Sequence, residues 1–138
     1  MTGNKPRPAP SRSVAVAIAL AGASAVLLGA FGAHALSGTL DVRGEDLWHT
    51  AVGYQFWHAL AFTLGAFVAP HGRARRLSLI SFLVGMVLFC GSLYALALGA
   101  PDRLGVLTPV GGLAFVVGWL ALANSFGGRR PDADTDKP

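Results

Sequence analysis

Charge is the scarcest resource in this sequence. Only 13% of its 138 residues are Asp, Glu, Lys or Arg, about half the usual share, whereas 53% are hydrophobic and the mean hydropathy is +0.53. A small domain has the largest surface per volume and needs polar side chains to cover it, so a water-soluble enzyme is not expected. A disordered chain, which requires low hydrophobicity, is excluded on the same grounds. The single cysteine removes a disulfide scaffold. Nucleophile–base pairs, acid dyads and phosphate-cradling glycine loops are missing too. Gly111-Gly112 has no basic residue after it and falls in an apolar run.

What charge there is comes in five clusters. They are Lys5 to Arg12, Asp41 to Asp46, Arg73 to Arg76, Asp102-Arg103, and Arg129 to Lys137. Between them lie four charge-free stretches, 13–40, 47–72, 77–101 and 104–128, each able to supply the ~20 apolar residues that cross a bilayer. The expected fold is therefore all-α and integral to the membrane, an up-down-up-down bundle of four spans near 13–35, 48–69, 77–99 and 106–127. Residues 1–12 and 128–138 read as disordered tails flanking a transmembrane domain over 13–127. Pro70 and Pro101 stop the second and third spans, and Thr108-Pro109 reads as an N-cap and first helical residue near the start of the fourth.

The first span competes with a cleaved signal peptide, because Ala33-His34-Ala35 fits an A-x-A site. Its 20 uncharged residues from Val14 to Ala33 exceed an ordinary signal core of 7–15, which favours a retained helix. Basic residues alternate with spans: three before the first, one against three acids in 41–46, three in 73–76, one against one in 102–103, and two after the last. The positive-inside rule then places both termini in the cytoplasm. The pI near 10 follows from this topology and implies contact with anionic inner-leaflet lipid, with no nucleic-acid module in view.

Helices in lipid approach through small residues. In the third span Ser81, Gly85, Ser92, Ala95 and Gly99 share a stripe interrupted only by Leu88, with Leu83, Met86, Val87, Cys90 and Leu93 opposite. This pattern predicts a lipid-facing Cys90. The fourth span sets Gly111, Ala114, Gly118, Ala121 and Ser125 against Leu113, Val117 and Leu120, and the first carries Ala21, Ala25, Gly29 and Ala33 in one row.

The second span holds the polar groups. Thr50, Ala51, Tyr54, Gln55, His58, Ala61 and Gly65 share a side, with Phe56, Leu60, Leu64 and Phe67 opposite. Counted inward from Trp48, which fits the outer aromatic belt, His58 lies about 15 Å deep. An intramembrane ionisable residue raises a functional question. Yet no span offers an acidic or basic companion, so an uncharged His58 acting as interhelix glue is the favoured reading. The candidate polar residues, functional or packing, are His34, Tyr54, Gln55, His58, Tyr94 and Thr108. His34 and His49 sit at the outer interface, but His49 points about 180° from His58 at 100° per residue. A haem or metal site would draw on these histidines. No ligand spacing supports one, so no cofactor, metal ligand or catalytic residue is assigned.

Two segments carry a resemblance. Leu28-Gly29-Ala30-Phe31-Gly32-Ala33-His34-Ala35-Leu36 and Thr50-Ala51-Val52-Gly53-Tyr54-Gln55-Phe56-Trp57-His58-Ala59-Leu60 resemble the signatures of domain-of-unknown-function family 423, small bacterial inner-membrane proteins with transmembrane protein 256 as an animal relative. Gly91-Ser92-Leu93-Tyr94, the run from Leu104 to Gly112, and Gly118-Trp119-Leu120 look like its later signature, so the likeness covers about 14–123. It implies four membrane helices and supplies no activity. The motif positions that match are His34, Tyr54, Gln55, His58, Tyr94, Thr108, Pro109 and Gly111. The expected role is a non-enzymatic accessory or assembly protein, partnered by the bilayer and by further copies or a larger membrane complex. The alternative is a small transporter or proton/ion conduit lined by Gln55 and His58.

Overall fold

The computed structural model describes residues 10–127. The tail segments 1–9 and 128–138, expected to be disordered, lie outside the described residues. Helices account for almost all the rest. They are α1 (Arg12–His34), α2 (Val42–Val68), α3 (Arg73–Gly85), a π turn (Met86–Cys90), α4 (Gly91–Ala97), a 3₁₀ turn (Asp102–Val106) and α5 (Leu107–Gly127). Because α3, the π turn and α4 run on without a break, the chain makes four rods. Three, Arg12–His34, Arg73–Ala97 and Asp102–Gly127, are long and apolar enough to cross a membrane. The remaining rod is α2, whose 27 residues reach about 40 Å at 1.5 Å per residue.

The ends of α2 are closed by charge. At its start, Asp41 Oδ1 accepts from the Gly44 amide at 2.7 Å, a side-chain N-cap. At its end, Arg75 reaches back from α3 to donate to the carbonyl of Ala66 (2.7 Å), which has no i+4 donor because residue 70 is proline, and to that of Gly65 (3.3 Å), which also accepts from the Ala69 amide. Gly99, at φ +87°, takes the left-handed conformation that ends α4. Each rod packs on its sequence neighbours: α1 on α2, α2 on α3 and α4, and α3 on α5. The bundle therefore runs antiparallel with α2 and α3 inside.

Burial is inverted relative to a soluble protein. Leu27, Val87, Leu113 and Leu120 are exposed, and the interior is rich in Ala, Gly and Ser around a few large side chains, among them Phe62, Phe82, Phe115, Leu79 and Leu122. The glycines are sockets for rings. A Cβ on Gly85 would stand 2.4 Å from Phe115 of α5, and one on Gly118 would stand 2.7 Å from Phe82 of α3, so the two helices exchange phenylalanines into each other's glycines. Gly32 of α1 likewise receives the Trp48 indole. At Gly111 the approach is backbone to backbone, because a Cβ there would lie 2.3 Å from the Phe89 amide nitrogen inside the π turn.

The small face expected on α5 is present: Gly111, Gly118 and Ala121 are buried, and Leu113, Val117 and Leu120 are exposed. In the third rod the expectation fails for Cys90, which is 1% exposed, and for Met86 and Leu93, which are buried too. The buried arc is wider than the small-residue stripe, because α2 and α5 both cover this rod: on one 100° wheel Phe82, Met86, Cys90 and Leu93 fall beside Ser81, Gly85 and Ser92, while Ile80, Val84, Val87 and Leu98 take the exposed side. Further positions depart from the sequence reading. Ala33, Thr50 and Gly99 are exposed. Thr108 is no N-cap, because the 3₁₀ turn leads straight into α5 at Leu107.

These contacts rank the glycines. Gly111→Ala should destabilise the bundle by about 1–3 kcal/mol through overpacking against rigid backbone. Gly22→Ala and Gly53→Ala, where an added Cβ meets nothing within 4 Å, should leave stability unchanged or raise it. Thermal unfolding in mild detergent, followed by circular dichroism, measures both.

Candidate functional site

The polar stripe of α2 is real but divided. Gln55 and His58 are both buried, at 8% and 6% exposure, and each addresses a different neighbour. Gln55 faces α1 and α4. Its Nε2 donates to Ser24 Oγ at 2.7 Å and to the Ala21 carbonyl at 3.3 Å, while its Oε1 accepts from the Tyr94 hydroxyl at 2.9 Å. Ser24 passes its own proton to the Leu20 carbonyl at 2.6 Å. One carboxamide thus links three helices with every contact donor-to-acceptor.

His58 faces α5. Its Nδ1 lies 2.7 Å from the Tyr54 carbonyl, which can only accept, so Nδ1 carries the proton. Nε2 then offers a lone pair, and the Trp119 indole N–H, which can only donate, points at it from 3.4 Å. The two neighbours select the neutral Nδ1–H tautomer. The imidazole stacks on Phe115 with ring centres 3.5 Å apart and planes 14° from parallel, and Phe82 and Trp119 close in at tilted angles. Tyr54 continues the stack onto Phe89 at 4.6 Å, although its ring is 37% exposed at the bundle's edge.

Tyr94 and Thr108 hold other joints. Tyr94 packs edge-on against Trp48 at 4.7 Å besides bonding Gln55. Thr108 meets Ser92 Oγ at 2.7 Å, and Ser92 also bonds the Phe89 carbonyl at 2.9 Å. Since the Ser92 hydroxyl proton goes to that carbonyl, Thr108 is the donor between the two hydroxyls, and the pair fastens the start of α5 to the start of α4. His34 is exposed at the end of α1 and takes no part in the cluster. Trp48, expected at the outer belt, is instead 3% exposed, donating to the Leu28 carbonyl at 3.0 Å.

Sequence reasoning missed Ser24, Phe82 and Phe115. Ser24 gave a signal, since it is the one hydroxyl between Val14 and Ala33 of an Ala- and Gly-rich span, close to the Ala21–Ala25 row. The phenylalanines gave none, because aromatic residues are as common on lipid faces as inside. Chemically the arrangement is a set of closed hydrogen bonds. Among the described residues no three of His, Cys, Asp and Glu converge on a metal position.

If the Gln55 carboxamide is the joint, Gln55→Leu should cost more stability than Tyr94→Phe, each bond being worth about 0.6–2 kcal/mol. The double variant should cost less than the sum of the singles. A double-mutant cycle on thermal or chemical unfolding in detergent reads the coupling directly.

Comparison with known proteins places these positions in a wider group. The family model described as "Protein of unknown function (DUF423)" matches residues 28–112, a segment that contains Trp48, Gln55, His58, Tyr94 and Gly111. The UPF0382 membrane protein YwdK of Bacillus subtilis is 41% identical over 71% of this chain and 82% of its own length. A UPF0382 membrane protein of Haemophilus influenzae is 42% identical over 74% and 83%. The UPF0382 inner membrane protein YgdD of Escherichia coli is 43% identical over 68% and 73%. No solved structure matches. With its charge-poor rods, its lipid-type exposure and relatives named as membrane proteins, the chain is a multi-pass membrane protein and belongs to the DUF423 family.

Proposed function

We propose that this chain is a non-enzymatic accessory or assembly protein that works by packing against other membrane proteins, whether second copies of itself or members of a larger complex. The observation that carries this reading is the internal satisfaction of the α2 stripe. Both ring nitrogens of His58 and both ends of the Gln55 amide are engaged by other groups of the chain. Polar groups held in that way fix helix positions and do not present themselves to a substrate. The close stacking of His58 on Phe115 also speaks for packing rather than for an aqueous path. α1 adds a second support. Only 6% of its most apolar window is buried, against 44% for the Arg73–Ala97 rod, so most of its surface is open to lipid or to a partner helix.

In this reading α2 is a fourth span and both ends of the chain are cytoplasmic. The antiparallel rods gather Arg12, Arg73, Arg75 and Arg76 at one end of the bundle. The other end holds Asp41, Glu45, Asp46 and Asp102 with Arg43 and Arg103, Arg43 and Asp102 pairing at 3.1 Å. The positive-inside rule assigns the first end to the cytoplasm.

Two measurements test the reading. Reporter fusions at each terminus should both report the cytoplasm, and opposite sides would overturn the topology. Extraction of the full chain in native lipid should yield an oligomer or a complex whose other members are then identified. A lone monomer under those conditions, or solute flux in proteoliposomes that His58→Ala abolishes, would overturn the assembly role.

A further inference from the structure

The basic end of the bundle contains a groove that the helix packing leaves open. α1 and α3 both pack beside α2, and between them lies a cleft of about 500 Å³, within the size range of small-molecule sites. Val14 and Ala17 of α1 form one wall, and Leu79, Ile80 and Leu83 of α3 form the other over Phe62 of α2. The lining is mainly apolar along its length and polar at one end only, where His71, Arg75 and Arg76 stand at the turn between α2 and α3. Arg75 donates from Nε and Nη2 to the carbonyls of Gly65 and Ala66, which holds its guanidinium and its charge at the mouth. Arg76 is exposed beside it. The acidic residues among the described ones, Asp41, Glu45, Asp46 and Asp102, all sit at the opposite end of the rods.

An occupant must therefore combine a long apolar body with an anionic head, and must enter from the side within a membrane. We propose that this groove is a binding site for one anionic phospholipid. An acyl chain lies along Val14, Ala17, Phe62 and Leu83, and the phosphate meets Arg76 and His71. Charge complementarity selects the head, because the mouth holds two arginines and a histidine with no carboxylate near it among the described residues. The open wall of α1, where Ala17 offers only a methyl group, selects the chain. The inference rests on membrane residence and on this geometry, and it stands or falls apart from the assembly reading.

Native mass spectrometry of the delipidated full-length protein in detergent tests it, with phosphatidylglycerol and phosphatidylcholine of identical chains as probes. Phosphatidylglycerol should be retained in a one-to-one complex in preference to phosphatidylcholine. Loss of the arginine charge in the His71→Gln/Arg76→Gln double variant should reduce that retention about five-fold. Ala17→Phe, which fills the chain channel, should reduce it as well, and Ile80→Trp provides the same test from the facing wall if Ala17→Phe does not fold. Arg103→Gln, at the acidic end, should change nothing. Equal retention of the two lipids, or an equal loss with Arg103→Gln, would overturn the proposal. Competition by soluble glycerol phosphate would overturn it as well, by showing a phosphate site with no part for the groove.

Discussion

The side-chain amide of Gln55 joins α1, α2 and α4 in a medium that gives helices little reason to associate. Lipid tails are as apolar as leucine, so burying leucine between helices gains nothing over leaving it exposed. What remains is close packing and the hydrogen bond. Gln55 supplies the bond where α1 would otherwise be loosest, since among the described residues that helix packs chiefly on α2. Around this joint the other contacts become possible: the Trp48 indole seated on Gly32, the Tyr94 ring against Trp48, and the hydroxyl pair that ties α5 to the third rod. The structure divides its cohesion in two. Polar links secure α1 and the ends of α4 and α5, and interlocking of Phe82 and Phe115 with glycine secures α3 against α5.

Much of this was legible beforehand, and the reason is physical. A charge inside a hydrocarbon layer is so costly that gaps between charges mark the rods almost by themselves, and the small-residue face of α5 follows from period alone. The stripe of α2 was legible for the same reason, because Gln55 and His58 stand out among apolar neighbours. The failures come where a helix is covered on more than its small-residue side. In the third rod the small stripe marks one edge of the buried arc, and packing by both α2 and α5 widens that arc to include Met86, Cys90 and Leu93. Trp48 was assigned by the habits of tryptophan in general, whereas its place was set by Gly32, sixteen positions earlier and across a helix interface. The division of the α2 stripe between two neighbours was equally hidden, since a wheel shows which side a residue takes and not which helix waits there.

The same arrangement explains why the bundle presents such different ends. Helix α2 begins under an aspartate cap and finishes against an arginine from the next helix, so each terminus is satisfied by a charge of the sign its dipole favours. In the proposed topology that arginine is also among the basic residues the positive-inside rule counts. Closing the helix and the proposed orientation thus draw on one basic cluster, and the groove beside Arg76 lies where that cluster leaves positive charge exposed.

The π turn has an implication for how the chain came to be. Such a turn is what an α-helix becomes when one extra amino acid is lodged in it and the flanking contacts hold their ground. Here the flanks do hold: Gly85 keeps its ring from α5, and Ser92 keeps its bond to Thr108. A homologue whose ancestor never received that insertion would align with a one-position gap between 86 and 90. Its rod would then carry the same two flanking anchors, the glycine socket and the hydroxyl pair, across one residue fewer.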